Sequence, residues 1–346
     1  MHAGIGANET GPGGYSRRAV RRKLLKRKLR RQLTANKWKQ EKKRRTSTTS
    51  TTTMATTTSA TAITNARTRT FSAGVGITCA LNQEGFPQCF GNPVTIGEVP
   101  QVKLSEVACL DFCCGVKQLD SRPICWGGQT TPSSALNIPA VAVKGISVRI
   151  FQACALNEDD EAFCWGLEEN EQLEIPPIKL TEIAAFDADV GVGGDNENFA
   201  CGIQQSDGLP SCWGSSGSTS SRTDTTAIET PLSAISSTGV GTCGMRQSDG
   251  TVVCWGEPQI QDWGIPAELP FKQISIGIGL CGIQAVDDKV ACFGVLPFLG
   301  LPESEEGFTE ISLGFFHACG RTLSGVLECW GVGLNGETSV PPELNA

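Results

Sequence analysis

Residues 201–214 read CGIQQSDGLPSCWG, and residues 243–256 read CGMRQSDGTVVCWG. Both run from a cysteine through a short apolar stretch into a polar turn, then back to a second cysteine, an aromatic and a glycine. Five more stretches follow this plan: CALNQEGFPQCFG from Cys79, CGVKQLDSRPICWG from Cys114, CALNEDDEAFCWG from Cys154, CGIQAVDDKVACFG from Cys281 and CGRTLSGVLECWG from Cys319. The first cysteines are separated by 35, 40, 47, 42, 38 and 38 residues. A unit recurring at about forty residues marks a repeat architecture, in which each copy is one supersecondary unit that buries its apolar face on its neighbours.

Each unit reads as a β-hairpin. The cysteines are 10 residues apart in three copies and 11 in four. A separation of 10 opposes them across a three-residue loop, such as Gln83-Glu84-Gly85, Glu158-Asp159-Asp160 or Leu323-Ser324-Gly325. A separation of 11 opposes them across a four-residue loop, such as Gln205-Ser206-Asp207-Gly208. Both lengths are common in hairpins, and a late Gly or Asp suits the left-handed residue they need. The extra residue is thus absorbed in the turn, and the cysteines stay face to face. In a non-hydrogen-bonded pair their Cα atoms stand about 4.5 Å apart, within disulfide range.

Seven bridges are therefore expected: Cys79–Cys89, Cys114–Cys125, Cys154–Cys164, Cys201–Cys212, Cys243–Cys254, Cys281–Cys292 and Cys319–Cys329. The competing reading is fourteen small buried thiols in a reducing compartment. Completeness of all seven pairs, while other repeat positions diverge, favours bridges. No metal site is expected, since zinc pairs want C-x₂₋₄-C spacing with His partners and the chain has two His. Cys109 and Cys113, in the stretch ACLDFCC, fall outside the plan. They read either as one further bridge or as two buried thiols.

Upstream of most hairpins lies another short strand, as in Ile146-Ser147-Val148, Ile235-Ser236-Ser237, Ile274-Ser275-Ile276 and Ile311-Ser312-Leu313. Pro-containing links precede these strands, for example Ile175-Pro176-Pro177 and Leu269-Pro270. Gly makes up 40 of the 346 residues, which fits turns and short strands better than long helices. Each repeat then supplies at least three strands and no evident helix. Repeats of this length and class stack radially, so residues 71–346 are expected to form an all-β, seven-bladed β-propeller.

The pattern Gly-x-x-His-x-Cys…Gly-x-x-x-Cys-Trp-Gly resembles the regulator-of-chromosome-condensation repeat. Its fullest copy runs from Gly314 through His317 and Cys319 to Gly325, Cys329, Trp330 and Gly331, followed by Gly333-Leu334-Asn335-Gly336. The resemblance spans 71–346 and implies the same seven-bladed propeller. The paired cysteines resemble the version in bacterial secreted members and in crinkly-type plant receptor ectodomains. The family His occurs once; Ile77, Phe112, Gln152, Phe199, Gly241 and Gly279 replace it elsewhere. The family's founding member promotes nucleotide exchange on a small GTPase, and none of its exchange residues can be matched here. The resemblance therefore implies fold more firmly than activity.

The aromatics after the second cysteines are Phe90, Trp126, Trp165, Trp213, Trp255, Phe293 and Trp330. Their regular placement assigns them to packing between blades rather than to a stacking platform for sugars or bases. Trp263 lies outside the repeat and reads as a surface aromatic. No catalytic constellation or cofactor site emerges, and there is no Walker or dinucleotide loop. The carboxylates of Glu158-Asp159-Asp160-Glu161, Glu168-Glu169 and Glu303-Ser304-Glu305-Glu306 read as a solvated rim.

Charge divides the chain. Residues 1–70 carry 18 Lys+Arg against Glu9 and Glu41, a net +16, while residues 71–346 carry 11 against 34 acids, a net −23. The tail pairs a basic run at 17–45 with a Thr/Ser-rich stretch at 46–70 that lacks apolar area to offset chain entropy. It is expected to be disordered. A nuclear address or polyanion contact, an organelle transit peptide beginning at Met54, and a plain solvated tail all fit it. No apolar run approaches a membrane span. Disulfides call for a secreted, lumenal or organellar setting; a nuclear location is the alternative. The reading that results is a non-enzymatic, monomeric propeller that binds protein partners through its loops. A nucleotide-exchange regulator of a small GTPase, and a lectin-like or enzyme-inhibitor propeller, are the alternatives.

Overall fold

The structure, a computed structural model, describes residues 69–128, 138–149, 152–166, 175–187, 198–214, 220–294 and 299–345. The expected disorder of the basic tail, and the Glu168-Glu169 pair, lie outside the described residues.

The described strands form seven antiparallel sheets of three. Blade 1 is β1 (Phe71–Ala73), β2 (Ile77–Leu81) and β3 (Pro87–Gly91), and blade 2 is β4 (Leu104–Cys109), β5 (Cys113–Lys117) and β6 (Pro123–Trp126). Blade 3 is β7 (Val143–Val148), β8 (Gln152–Asn157) and β9 (Ala162–Gly166), and blade 4 is β10 (Leu180–Asp187), β11 (Asn198–Gln204) and β12 (Pro210–Gly214). Blade 5 is β13 (Leu232–Thr238), β14 (Gly241–Arg246) and β15 (Val252–Gly256). Blade 6 is β16 (Phe271–Ile276), β17 (Gly279–Gln284) and β18 (Val290–Gly294), and blade 7 is β19 (Phe308–Leu313), β20 (His317–Thr322) and β21 (Leu327–Gly331). The middle strand in sequence is the middle strand in space throughout, so every blade is a meander.

The first strand of each blade touches the first strand of the next, and β19 returns to touch β1. The ring is closed, and the fold is a seven-bladed propeller whose first strands form the inner wall. Two four-residue helices, α1 (Pro93–Ile96) and α2 (Pro258–Gln261), occupy links after β3 and β15. They are too short for a 3.6-residue pattern to reveal them in the sequence.

The hairpins follow from their loop residues. The last loop residue is left-handed in all seven, at Gly85, Ser121, Asp160, Gly208, Gly250, Asp288 and Gly325. In the four-residue loops Asp120, Asp207, Asp249 and Asp287 each accept the backbone N–H two residues on. In two of the shorter loops Asn82 and Asn157 accept the N–H two and four residues on. The glycine that follows the aromatic is also dictated: Gly256 has φ 123°, and a Cβ there would meet Gly241 Cα at 2.5 Å.

Candidate functional site

The seven cysteine pairs named above face each other in strand register and are bonded, with Cα atoms 4.0–4.1 Å apart. Cys109 and Cys113 form an eighth bridge across the β4–β5 turn. Bridges in this number belong to oxidising surroundings.

Each repeat bridge lies in a seam between blades. The bridge of blade 1 packs with Trp126 of blade 2, and that of blade 2 with Trp165 of blade 3. Trp213, Trp255, Phe293 and Trp330 meet the bridges of blades 3, 4, 5 and 6 in the same way. Phe90 of blade 1 meets the bridge of blade 7. Trp263 departs from the surface placement that its position outside the repeat implied. It is 7% exposed and sits in the seam of blades 5 and 6. Blade 6 carries Phe293 where most blades carry Trp, and the space this leaves is filled by the second ring. Phe90, the other Phe, is backed likewise by Val340 and Leu344.

The inner wall holds residues that the repeat pattern did not single out. Opposite the first cysteines stand Ser72, Ala108, Ser147, Ala184, Ser236, Ser275 and Ser312. All five serines accept a backbone N–H from the next blade's inner strand. The donors are Cys109 to Ser72 at 2.9 Å, Ala185 to Ser147 at 3.2 Å, and Ile276 to Ser236 at 3.2 Å. Leu313 donates to Ser275 at 2.9 Å, and Ala73 to Ser312 at 3.0 Å.

Two residues earlier, blades 2, 4, 6 and 7 present Glu106, Glu182, Gln273 and Glu310, each just past a β-bulge that re-aims the strand. Gln273 bonds both the N–H and the carbonyl of Ile311 in the next blade. Glu310 accepts the Thr70 N–H at 2.9 Å and the Thr70 hydroxyl at 2.6 Å. Glu106 accepts from the Ile146 backbone, and it feels Glu182 and Glu310 as like charges and Arg69 as an opposite one. Those acids stand on the first strands of three different blades, the strands that form the inner wall. Burial pushes Glu106 up to about 7, against the pull of Arg69, and burial also raises Glu310. The inner wall therefore carries a carboxyl that exchanges its proton near neutrality.

Chain numbering conceals this ring. Glu106 precedes its first cysteine by 8 residues, Glu182 by 19, because the β10–β11 connection is longer. The Ile-Ser strands were legible, but not that their hydroxyls cross to the next blade.

His317 is fully buried in the seam between blades 7 and 1. Its Nε2 lies 2.7 Å from Thr78 Oγ1, and that hydroxyl donates to the Glu337 carbonyl at 2.8 Å. Nε2 must therefore carry the proton. Burial pushes His317 down to about 4, with Glu337 opposing. The ring is a neutral structural donor. In the Glu303–Glu306 stretch, Glu306 accepts from Ser324 and is held low by it, Glu305 pairs with Lys289 at 3.2 Å, and Glu303 is exposed.

The hairpin turns occupy equivalent places in every blade and so share one face of the ring. Three carry bare aliphatic side chains: Leu119 at 95% exposure, Val286 at 65% and Leu323 at 60%. Among the described residues no helix is long and apolar enough to cross a membrane.

No protein-family model matches the chain. Among solved structures, the ectodomain of the Physcomitrella patens receptor kinase CR4 is similar, at TM-score 0.63 and 23% identity, over 77% of this chain and 73% of that one. The CRINKLY WD40 ectodomain of the Arabidopsis thaliana receptor kinase ACR4 is similar at TM-score 0.62 and 22% identity, over 77% and 95%. Likeness at this identity shows the fold. The seven three-stranded sheets with paired cysteine bridges share that propeller fold.

Proposed function

We propose that the chain is a non-enzymatic propeller that binds protein partners with its turn face, in a secreted, lumenal or organellar compartment. The observation that carries this is the ring itself, which holds seven hairpin turns on one face, three of them tipped by exposed Leu119, Val286 and Leu323. Loops on a rigid scaffold are where binding residues concentrate. The likeness to receptor ectodomains supports the same reading. The eight bridges support the compartment.

A displayed protein library panned on the folded chain tests it, with the triple variant Leu119→Glu, Val286→Glu, Leu323→Glu as the comparison. Binders should lose at least tenfold in affinity on the triple variant while its melting temperature is unchanged. Binders that hold both forms equally would place recognition elsewhere. In parallel, release of labelled GDP from small GTPases should not accelerate when the chain is added; acceleration would favour an exchange regulator instead.

A further inference from the structure

The Cys109–Cys113 bridge closes the turn of Leu110, Asp111 and Phe112 at the seam of blades 1 and 2. Its Cys113 Sγ lies 3.3 Å from Cys79 Sγ, which belongs to a different bridge, Cys79–Cys89. The sulfurs of Cys79, Cys109 and Cys113 all fall within 4.8 Å of one another. Exposure is graded across this cluster: Cys109 keeps 6%, Cys113 1% and Cys79 none. Cys89 is partly exposed on β3, an outer strand of blade 1. A thiolate in contact with a disulfide sulfur is the arrangement that thiol–disulfide exchange requires.

We propose that these two bridges form a thiol-exchange site for a small thiolate such as glutathione. The external thiolate attacks Cys109 Sγ, the most accessible of the three. A mixed disulfide forms on Cys109, the Cys109–Cys113 bond breaks, and Cys113 leaves as the thiolate. Cys113 Sγ then attacks Cys79 Sγ in contact with it. The Cys79–Cys113 bond forms, the Cys79–Cys89 bond breaks, and Cys89 leaves as the thiolate. One thiolate is consumed and one released, with no net oxidation or reduction. Two effects follow from the positions. Blades 1 and 2 become joined by a covalent bond between β2 and β5, in place of one bridge inside blade 1 and one across the β4–β5 turn. The free thiol moves from the buried seam to the outer strand, where a partner's disulfide can meet it.

The test uses the full chain, treated with reduced glutathione, quenched in acid, alkylated and mapped by mass spectrometry. The expected products are glutathione on Cys109, a Cys79–Cys113 crosslink and alkylation at Cys89. Glutathione on Cys109 with alkylation at Cys113 and an intact Cys79–Cys89 bridge would overturn the second step. Glutathione going first to another bridge would overturn the first. The variant Cys109→Ser supplies Cys113 as a thiol without any reductant. Slow native alkylation should then label Cys89, since Cys113 is buried. The double variant Cys109→Ser, Cys113→Ser should lose that label by tenfold or more. Equal Cys89 labelling in the two variants, or labelling of Cys113 alone in the first, would defeat the proposal.

Discussion

The seam between blades 5 and 6 and the seam between blades 7 and 1 solve one packing problem differently. At 5/6 the chain itself runs from one blade to the next, and the seam is mainly apolar: Phe271, Phe293, Ile260 and Trp263 fill it. Its cross-blade polar bonds include the Ile276 N–H to Ser236, the Thr238 hydroxyl to the Gly277 carbonyl and the Phe271 N–H to the Gly250 carbonyl. At 7/1 the two blades are far apart in sequence, and no link holds them in place. There the polar bonds multiply. Glu310 grips Thr70 twice, Ser312 accepts from Ala73, and His317 meets Thr78, which in turn holds Glu337. The Arg321 guanidinium also lies 5.7 Å from the centre of the Phe71 ring. Apolar burial is non-directional and serves where a link already sets the position. Directed hydrogen bonds fix register between blades, and at 7/1 they do so without a link.

The largest expected effect separates the two seams by deletion. A chain beginning at residue 66 keeps Thr70 and β1, and should melt like the full chain. A chain beginning at residue 75 loses the Thr70, Ser72 and Ala73 contacts with blades 7 and 2, and should lose cooperative unfolding altogether. A sharp transition in the shorter chain, followed by circular dichroism, would show that closure does not depend on β1.

Single substitutions come next. Trp263→Ala should cost about 3–5 kcal/mol by opening the apolar seam. Glu310→Ala should cost about 2–3 kcal/mol by leaving the Thr70 N–H and hydroxyl unpaired. Glu310→Gln should recover part of that loss and Trp263→Phe much of the other, as read from urea melts. Equal tolerance of Ala at both sites would erase the distinction drawn here.

Titration gives His317 and the inner-wall acids opposite signatures. His317 is depressed from 6.5 to about 4, so its contribution is present above 6.5 and lost as pH falls toward 4. Glu106 is raised from 4.5 to about 7, so its contribution is present below 4.5 and lost as pH rises through 7. Glu310, also raised, acts in the direction of Glu106. Between 4.5 and 6.5 the slopes of His317 and Glu106 oppose each other. Relative to the parent, Glu106→Gln should gain about 1 kcal/mol per pH unit as pH rises through this window. His317→Gln should gain as pH falls through it. Parallel stability curves for parent and variants would contradict both assignments.

The smallest effects test what is ornamental in the ordinary seams. Ser236→Ala should cost about 1 kcal/mol, one neutral hydrogen bond. Trp165→Phe should cost about 1–2 kcal/mol, because a ring stays in the seam but a smaller one that leaves a partial cavity, and the indole N–H has no acceptor among the described residues.

The boundary between sequence and tertiary structure follows the range of the interactions. Everything inside one hairpin was legible. Loop length, a left-handed loop residue (Gly or Asp in six copies, Ser121 in blade 2) and two opposed cysteines are set by residues within about a dozen positions, and seven copies repeat the message. The number of blades followed by counting. The seams were legible only in part: the aromatics announced packing between blades, but Trp263 was misplaced because its partner Phe293 lies 30 residues away. What the inner wall holds was not legible. Glu106, Glu182 and Glu310 share no sequence window, and Thr78 and His317 are 239 residues apart. The shift of Glu106 comes from desolvation and from charges on other blades, and the contact of Cys113 with Cys79 comes from the packing of two blades. Local spacing dictates a hairpin because backbone geometry acts over a few residues; burial, charge coupling and sulfur contact exist only after the ring has closed and brought distant residues together.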